Sequence, residues 1–261
     1  MDLNLHGKKA VVLGASRGLG RAIALSFLAE GVHVYATSRQ PDDIISWRDR
    51  LPAEQQERVT PLPLDLSEPA SIAAAVEQIT VTGGTDILVN NSGGPPPSPI
   101  RAITPEIWAA QFDMMATRIF QITSLLLPPM RARRWGRILT VASSGIIQPI
   151  PNLGLSNSIR SAIGGWSKTL SNEVASEGVT VNMVIPGRIH TDRVDQLDAL
   201  AAQRQNISVE EAAALSCRTI PAARYGRPEE FAAVVTFLAS EQAGYITGSQ
   251  IRVDGGMIRS I

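Results

Sequence analysis

The stretch KAVVLGASRGLGRAIALSFLAEG, Lys9 to Gly31, decides the fold. An apolar run ends in Gly14, Gly18 and Gly20, and apolar residues at helical spacing follow. Glycines at a strand-to-helix turn allow a tight bend and close backbone approach. A pyrophosphate could then sit over the free N–H groups at the helix start. The spacing is G-x-x-x-G-x-G rather than the G-x-G-x-x-G of the general dinucleotide fingerprint, and glycines also end strands for purely steric reasons.

Outward from this turn, short runs rich in Val, Ile and Leu recur: VHVYATS, VTPLPLD, DILVNN, RILTVAS, VTVNMVIPG and, near the end, SQIRVDGG. Such runs suit strands buried on both faces. Helical patterns lie between them at Leu19 to Ala29, Ser71 to Ile79, Pro105 to Leu127, Ser158 to Ser176 and Pro228 to Ser240. The alternation predicts an α/β fold: a single-domain, Rossmann-type doubly wound parallel sheet of about seven strands with helices on both faces. No repeat or linker divides residues 1–261. The proline-rich GGPPPSP, Gly93 to Pro99, reads as a stiff loop that either shapes a pocket or merely connects. The segment from about 188 to 224 reads as a variable substrate loop.

Lys plus Arg and Asp plus Glu each total 24, so no net field favours nucleic acid or an anionic membrane. A small-molecule partner is expected. The one cysteine, Cys217, precludes an intrachain disulfide. The first residues carry charges where a secretory signal needs an apolar stretch, and no run nears the ~20 apolar residues of a membrane span. A cytoplasmic protein is the expectation.

The end of the second strand bears on the nucleotide. An NAD site commonly places Asp or Glu there for the ribose 2′-hydroxyl, whereas an arginine accommodates a 2′-phosphate. Here Ser38 and Arg39 follow, with no carboxylate, and Arg17 in the glycine turn could approach from the other side. NADP(H) is preferred over NAD(H), although either arginine could be a solvated surface residue.

With GASRGLG, Asp65, NNSG at Asn90 to Gly93, VNMVIPG at Val181 to Gly187 and TGSQIRVDGG, the chain resembles the short-chain dehydrogenase/reductase family. Within it the likeness is to members of the 3-oxoacyl-ACP reductase kind. The resemblance implies a cofactor site at Gly14, Ser16, Arg17, Gly18, Leu19 and Gly20, with Ser38, Arg39, Asp65 and Leu66 on its adenosine side. Asp65 would lie beside the adenine, and Asn90 would help hold the adenosine half, with Ser92 and Gly93 next to it. Pro186, Gly187, Ile189 and Thr191 would flank the nicotinamide. The plainer readings are a cap for Asp65, a turn for Asn90 and Asn91, and a helix cap for Thr191. The resemblance also implies a homodimer or homotetramer built through the two long helices.

Catalysis in this family usually relies on an Asn, a Ser, and a Tyr and Lys four positions apart. An unperturbed phenol, with a pKa of about 10, is a poor base until a cation stabilises its phenolate. Counting back from VNMVIPG without a gap puts Ser156 at the Tyr position and Arg160 at the Lys position, and the run FDMMATRIFQ before LLLPPM places Met115 at the Asn position. Ser143 stands where the serine belongs, with Ser144 as its alternative. A serine hydroxyl is too short to replace the phenol directly, so water or a substrate group would have to bridge. Arg160 could donate to the ribose but cannot relay a proton. His190 is a candidate acid or a plain loop residue. Arg188 and Asn157 could polarise a carbonyl, and Tyr225 reads as packing. No H-E-x-x-H or cysteine cluster offers metal ligands, and no G-x-S-x-G elbow is present. The expectation is hydride transfer between NADP(H) and a carbonyl or alcohol with a non-standard proton path. The alternatives are a catalytically silent sensor or oligomer partner and, third, proton-abstraction or dehydration chemistry without net redox change.

Overall fold

The computed structural model describes all 261 residues, Met1 to Ile261. Its strands are β1 Lys9–Val12, β2 His33–Ser38, β3 Val59–Pro63, β4 Ile87–Asn90, β5 Gly136–Val141, β6 Val179–Pro186 and β7 Gln250–Val253. They form one sheet in the order β3-β2-β1-β4-β5-β6-β7, every neighbouring pair parallel. β4 and β5 are buried along their whole length, as apolar runs covered on both faces must be. β3 carries Pro61 and Pro63, whose missing N–H groups an edge strand tolerates.

The helices are α1 Gly18–Ala29, α2 Asp42–Arg48, α3 Ala53–Gln56, α4 Pro69–Val81, α5 Pro105–Phe112, α6 Arg118–Ala132, α7 Gly154–Val174, α8 Asp192–Gln205, α9 Val209–Arg218 and α10 Pro228–Ala239. On one face α1 and α10 close a core of residues such as Val12, Phe27, Val34 and Phe231. On the other, α4 and α6 meet the sheet over Leu62, Leu88, Ile122 and Ile138. A smaller cluster, including Met115, Leu155, Ile159 and Ile163, joins the middle of the α5–α6 segment to α7. β2 and β4 flank β1, so the winding reverses there and opens a crevice beyond the strands' carboxyl ends.

Three helical expectations need correction. The pattern from Pro105 to Leu127 is not one helix: a π turn at Asp113–Thr117 separates α5 from α6 and seats Met115 with no exposure. α6 then runs through Pro128 and Pro129 to Ala132, because Met130 is fully buried against Gly136, where a Cβ would lie 2.7 Å from its own. Packing there outweighs the two ladder bonds that prolines remove. α7 begins four residues earlier than Ser158, at Gly154, where a Cβ would stand 2.6 Å from that of Ile100. Ser156 and Arg160 are therefore both inside the helix and one turn apart. The segment from 188 to 224, read as a loop, holds α8 and α9.

Candidate active site

The glycine turn is built for an anion. Gly14 and Gly18 have φ of 64° and 56°, the left-handed region that only glycine enters freely. A Cβ on Gly20 would stand 2.1 Å from the Gly14 carbonyl oxygen, so a side chain there would force the turn open. The turn is held from behind: Ala15 N–H donates to Thr37 O at 2.8 Å, and Asn91 Nδ2 donates to Leu13 O at 3.0 Å. α1 has no side-chain cap and no acid in its first turn, so its opening N–H groups and the positive end of its dipole are left for a ligand. These features fit the diphosphate of a dinucleotide.

From this turn a cleft of about 1250 Å³ follows the strand ends. Its wall includes Gly14, Ser16, Arg17, Gly18 and Leu19, then Ser38, Arg39, Asp65 and Leu66. Arg39 is exposed and makes no ion pair, whereas the Ser38 hydroxyl donates to Gln40 O at 2.6 Å. Asp65 accepts from Ser67 N–H at 2.9 Å and from the Ser67 hydroxyl at 2.7 Å, and these bonds hold its carboxyl below the ordinary value. Across the cleft, Pro186, Gly187, Ile189 and Thr191 come from the end of β6. The Thr191 methyl lies 3.7 Å from where a Gly18 Cβ would be, so the two sides nearly meet. Arg17 and Asp192 bridge this gap at 3.7 Å as an exposed pair that solvent and salt screen.

Two residues expected at the cofactor do not line the cleft. Gly20 lies behind the turn, where its lack of a side chain permits the bend. Asn90 is fully buried within the sheet, and its Nδ2 donates to Thr123 Oγ1 at 3.2 Å and reaches Thr140 Oγ1 at 3.5 Å. Its contribution is to the sheet beneath the site and not to direct contact. Ser92 and Gly93, which follow it, do line the wall.

The reaction end collects Met115, Ser143, Ser156 and Arg160. Ser143 Oγ accepts from Gly145 N–H at 3.2 Å, which fixes the hydroxyl at the end of β5. Ser156 is nearly buried beneath Gly94, on which a Cβ would stand 3.9 Å from its Oγ. Arg160 corrects the expectation of a free ribose clamp. Its guanidinium is buried and donates to Val141 O at 2.9 Å and Ser92 O at 3.0 Å, tying the chain beyond β4 to the end of β5. Burial pushes its pKa down to about 10, so it remains a cation at neutral pH, with its other N–H groups free.

His190 does not reach the reaction end. Its neighbours Ile189 and Thr191 line the cleft, but its ring is largely exposed and lies 3.2 Å from Asp195. Asn157 is also turned away: its Nδ2 donates to Ile150 O at 3.0 Å and holds the loop before α7. Arg188 lines the cleft and lies 3.8 Å from buried Asp198, which also accepts from the Tyr225 hydroxyl at 2.8 Å. That phenol is pushed up to about 12, chiefly by burial, and stands outside the cleft. The proline-rich loop is a wall: Ser98 N–H donates to Asn152 O at 2.8 Å, and Ser98 bridges Leu153.

The wall contains no Tyr, Lys, His, Cys or Glu side chain; of its carboxylates, Asp65 is held by Ser67 and Asp192 pairs with Arg17. The segment read as a substrate loop lines the opposite wall as a helix, with Arg193, Leu197, Leu200 and Arg204 of α8, and the last residues, which sequence reading missed, contribute Met257 and Arg259. A signal for α8 was present: Asp192 and Asp195 in its first turn and Arg204 in its last, matching the helix dipole.

A parallel sheet with a diphosphate seat at its switch point defines a dinucleotide-binding protein of the Rossmann type. Comparison with known proteins narrows the class. A family model described as enoyl-(acyl carrier protein) reductase matches residues 14–258. The 3-oxoacyl-[acyl-carrier-protein] reductase FabG of Escherichia coli K12 is 36% identical over 258 residues, covering 98% of this chain and 99% of that protein. L-sorbose reductase from Gluconobacter frateurii, solved with NADPH and L-sorbose, matches with a TM-score of 0.94 and 32% identity over 100% of both chains. YwfH, an NADPH-dependent reductase involved in bacilysin biosynthesis, matches with a TM-score of 0.92 and 32% identity over 98% of this chain and 100% of that one. The chain belongs to the short-chain dehydrogenase/reductase family of oxidoreductases. No helix is long and apolar enough to cross a membrane.

Proposed function

We propose that this protein is an NADP(H)-dependent oxidoreductase that interconverts a carbonyl and an alcohol, with a proton path that uses no tyrosine. The observation that carries the cofactor preference is the end of β2, where Arg39 stands exposed without an ion pair and no Asp or Glu directly follows the strand as an NAD site would have. Arg17, in the glycine turn, lines the same cleft. The nicotinamide, when bound, supplies or accepts the hydride.

The chain's own residues orient the partners and handle the proton. Ser143, held by Gly145 N–H, presents a hydroxyl to the substrate oxygen. Arg160 sets a fixed positive charge beneath the reacting region and favours negative charge developing there. With no side chain of ordinary acid strength at this end of the wall, the proton comes from water through the Ser143 and Ser156 hydroxyls. The same absence of an acid also favours a second reading, a nucleotide-binding protein without turnover. Exposed Ile107 and Phe112 on α5 and Leu125 on α6 support self-association through these helices.

The test is a fluorescence titration with NADPH and NADH, followed by NADPH oxidation against ketones, aldehydes and ketoacyl thioesters. Tighter binding of NADPH and turnover of at least one carbonyl are expected. Tight NADPH binding with no turnover would establish the second reading instead.

A further inference from the structure

Beyond the nucleotide seat, the cleft runs under α8 and the C-terminal residues. Arg193, Leu197, Leu200 and Arg204 recur on α8 at intervals of four, three and four, so they share one face. That face is apolar in its middle, with Leu200 41% exposed, and cationic at both ends. Arg193 lies at the helix start beside Thr191. Arg204 lies about 16 Å further along, at 1.5 Å per residue. From the other side, Ile258 packs in the cluster of Met115, Leu155 and Ile159, and the neighbouring Arg259 lines the same cleft.

The charge of this wall is out of proportion to the chain. Formal net charge is zero, yet the lining holds seven arginines and two aspartates. Arg17 and Arg39 serve the nucleotide end, Arg160 is bonded to carbonyls, and Arg188 faces Asp198. Arg193, Arg204 and Arg259 are not engaged in this way. All three are exposed on the wall, and none forms an ion pair or a side-chain hydrogen bond. Guanidinium groups left unpaired beside apolar surface suit an anion with an apolar body.

We infer that the substrate is an amphipathic anion, a carbonyl compound whose carboxylate or phosphate is held by an unpaired arginine of this wall, Arg204 or Arg259, while its apolar body lies along Leu197 and Leu200. The inference rests on the oxidoreductase reading for the carbonyl alone, because the anion site is defined by the wall itself. A free carboxylic acid and a phosphoester carry the same chemistry, and the choice of probe separates them.

The experiment is calorimetric titration of the NADPH-loaded protein with octanoate, octyl phosphate and octan-2-one, repeated on Arg204→Gln and Arg259→Gln. At least one anion is expected to bind roughly tenfold or more tightly than the neutral ketone, the scale of one charge-assisted hydrogen bond. That advantage should fall in one or both variants and shrink with added salt, while NADPH affinity stays at the wild-type value. Preference for octanoate marks a free acid, and preference for octyl phosphate marks a phosphoester. Equal binding of anions and ketone, or an anion advantage intact in both variants, overturns the inference. If the wild type fails to bind NADPH, the cofactor reading falls, and the same titration of the cofactor-free protein still decides the anion site.

Discussion

The two ends of one cleft are built on different principles. At the nucleotide end the cleft presents backbone: the Gly14–Gly20 turn, the free N–H groups of α1 and the chain after β6. At the reaction end the proposed chemistry depends on side chains, those of Ser143, Ser156 and Arg160. Backbone recognition tolerates many sequences provided glycine stays where φ is positive or space is absent. Proton transfer depends on the reach and pKa of particular groups, so substitution changes the chemistry while leaving the scaffold intact.

The largest effect is expected at the backbone-built end. Gly20→Ala places a methyl group 2.1 Å from the Gly14 oxygen. NADPH binding should be abolished in a fluorescence titration, with a loss of about 3 kcal/mol in urea unfolding from the overpacked turn. Survival of wild-type binding would break the comparison. Next, Arg160→Ala leaves two buried carbonyls without their donor. It should cost about 2–3 kcal/mol in the same unfolding measurement, with turnover falling further than NADPH affinity. Arg39→Ala should weaken NADPH by roughly ten- to a hundredfold through loss of a charge-assisted contact, and leave NADH unchanged. Equal losses for the two cofactors would remove the 2′-phosphate assignment.

Smaller effects sharpen the contrast. His190→Ala should leave turnover unchanged, because its ring faces Asp195 outside the cleft. The pH profile should lack a phenol or imidazole titration between about pH 6 and 9, since Arg160 stays protonated up to about 10. Smallest is Asp65→Asn. The Asp65 carboxyl is held below its ordinary value by Ser67, so its stabilisation is complete above that value and fades as pH falls through the lowered one. The substitution should flatten only this acid limb of a thermal-melt series.

The sheet was legible because each strand is an apolar run between turn signals, and the nucleotide seat because its glycines are spaced by steric need. Residue counting also located Ser143, Ser156 and Arg160, which do line one cleft. It could not show what those side chains touch. Whether the guanidinium at 160 reaches outward to a ribose or inward to Ser92 O and Val141 O depends on the separation of β4 and β5, a tertiary distance. The outward turn of His190 follows from the seating of α8. The π turn at Asp113–Thr117 was hidden because a π turn differs from its α-helical neighbours by one hydrogen-bond step and carries the same residue types.

The Ser98 to Asn152 bond, with the Ser98 bridge to Leu153, joins the proline loop and the loop before α7 into one roof over Ser156. A roof pinned at its midpoint is a poor door. Traffic into the site is expected on the side of α8 and the C-terminal residues, which line the opposite wall. In hydrogen exchange the Ser98 amide should then be among the slow ones of its loop, while α8 breathes when substrate enters and leaves.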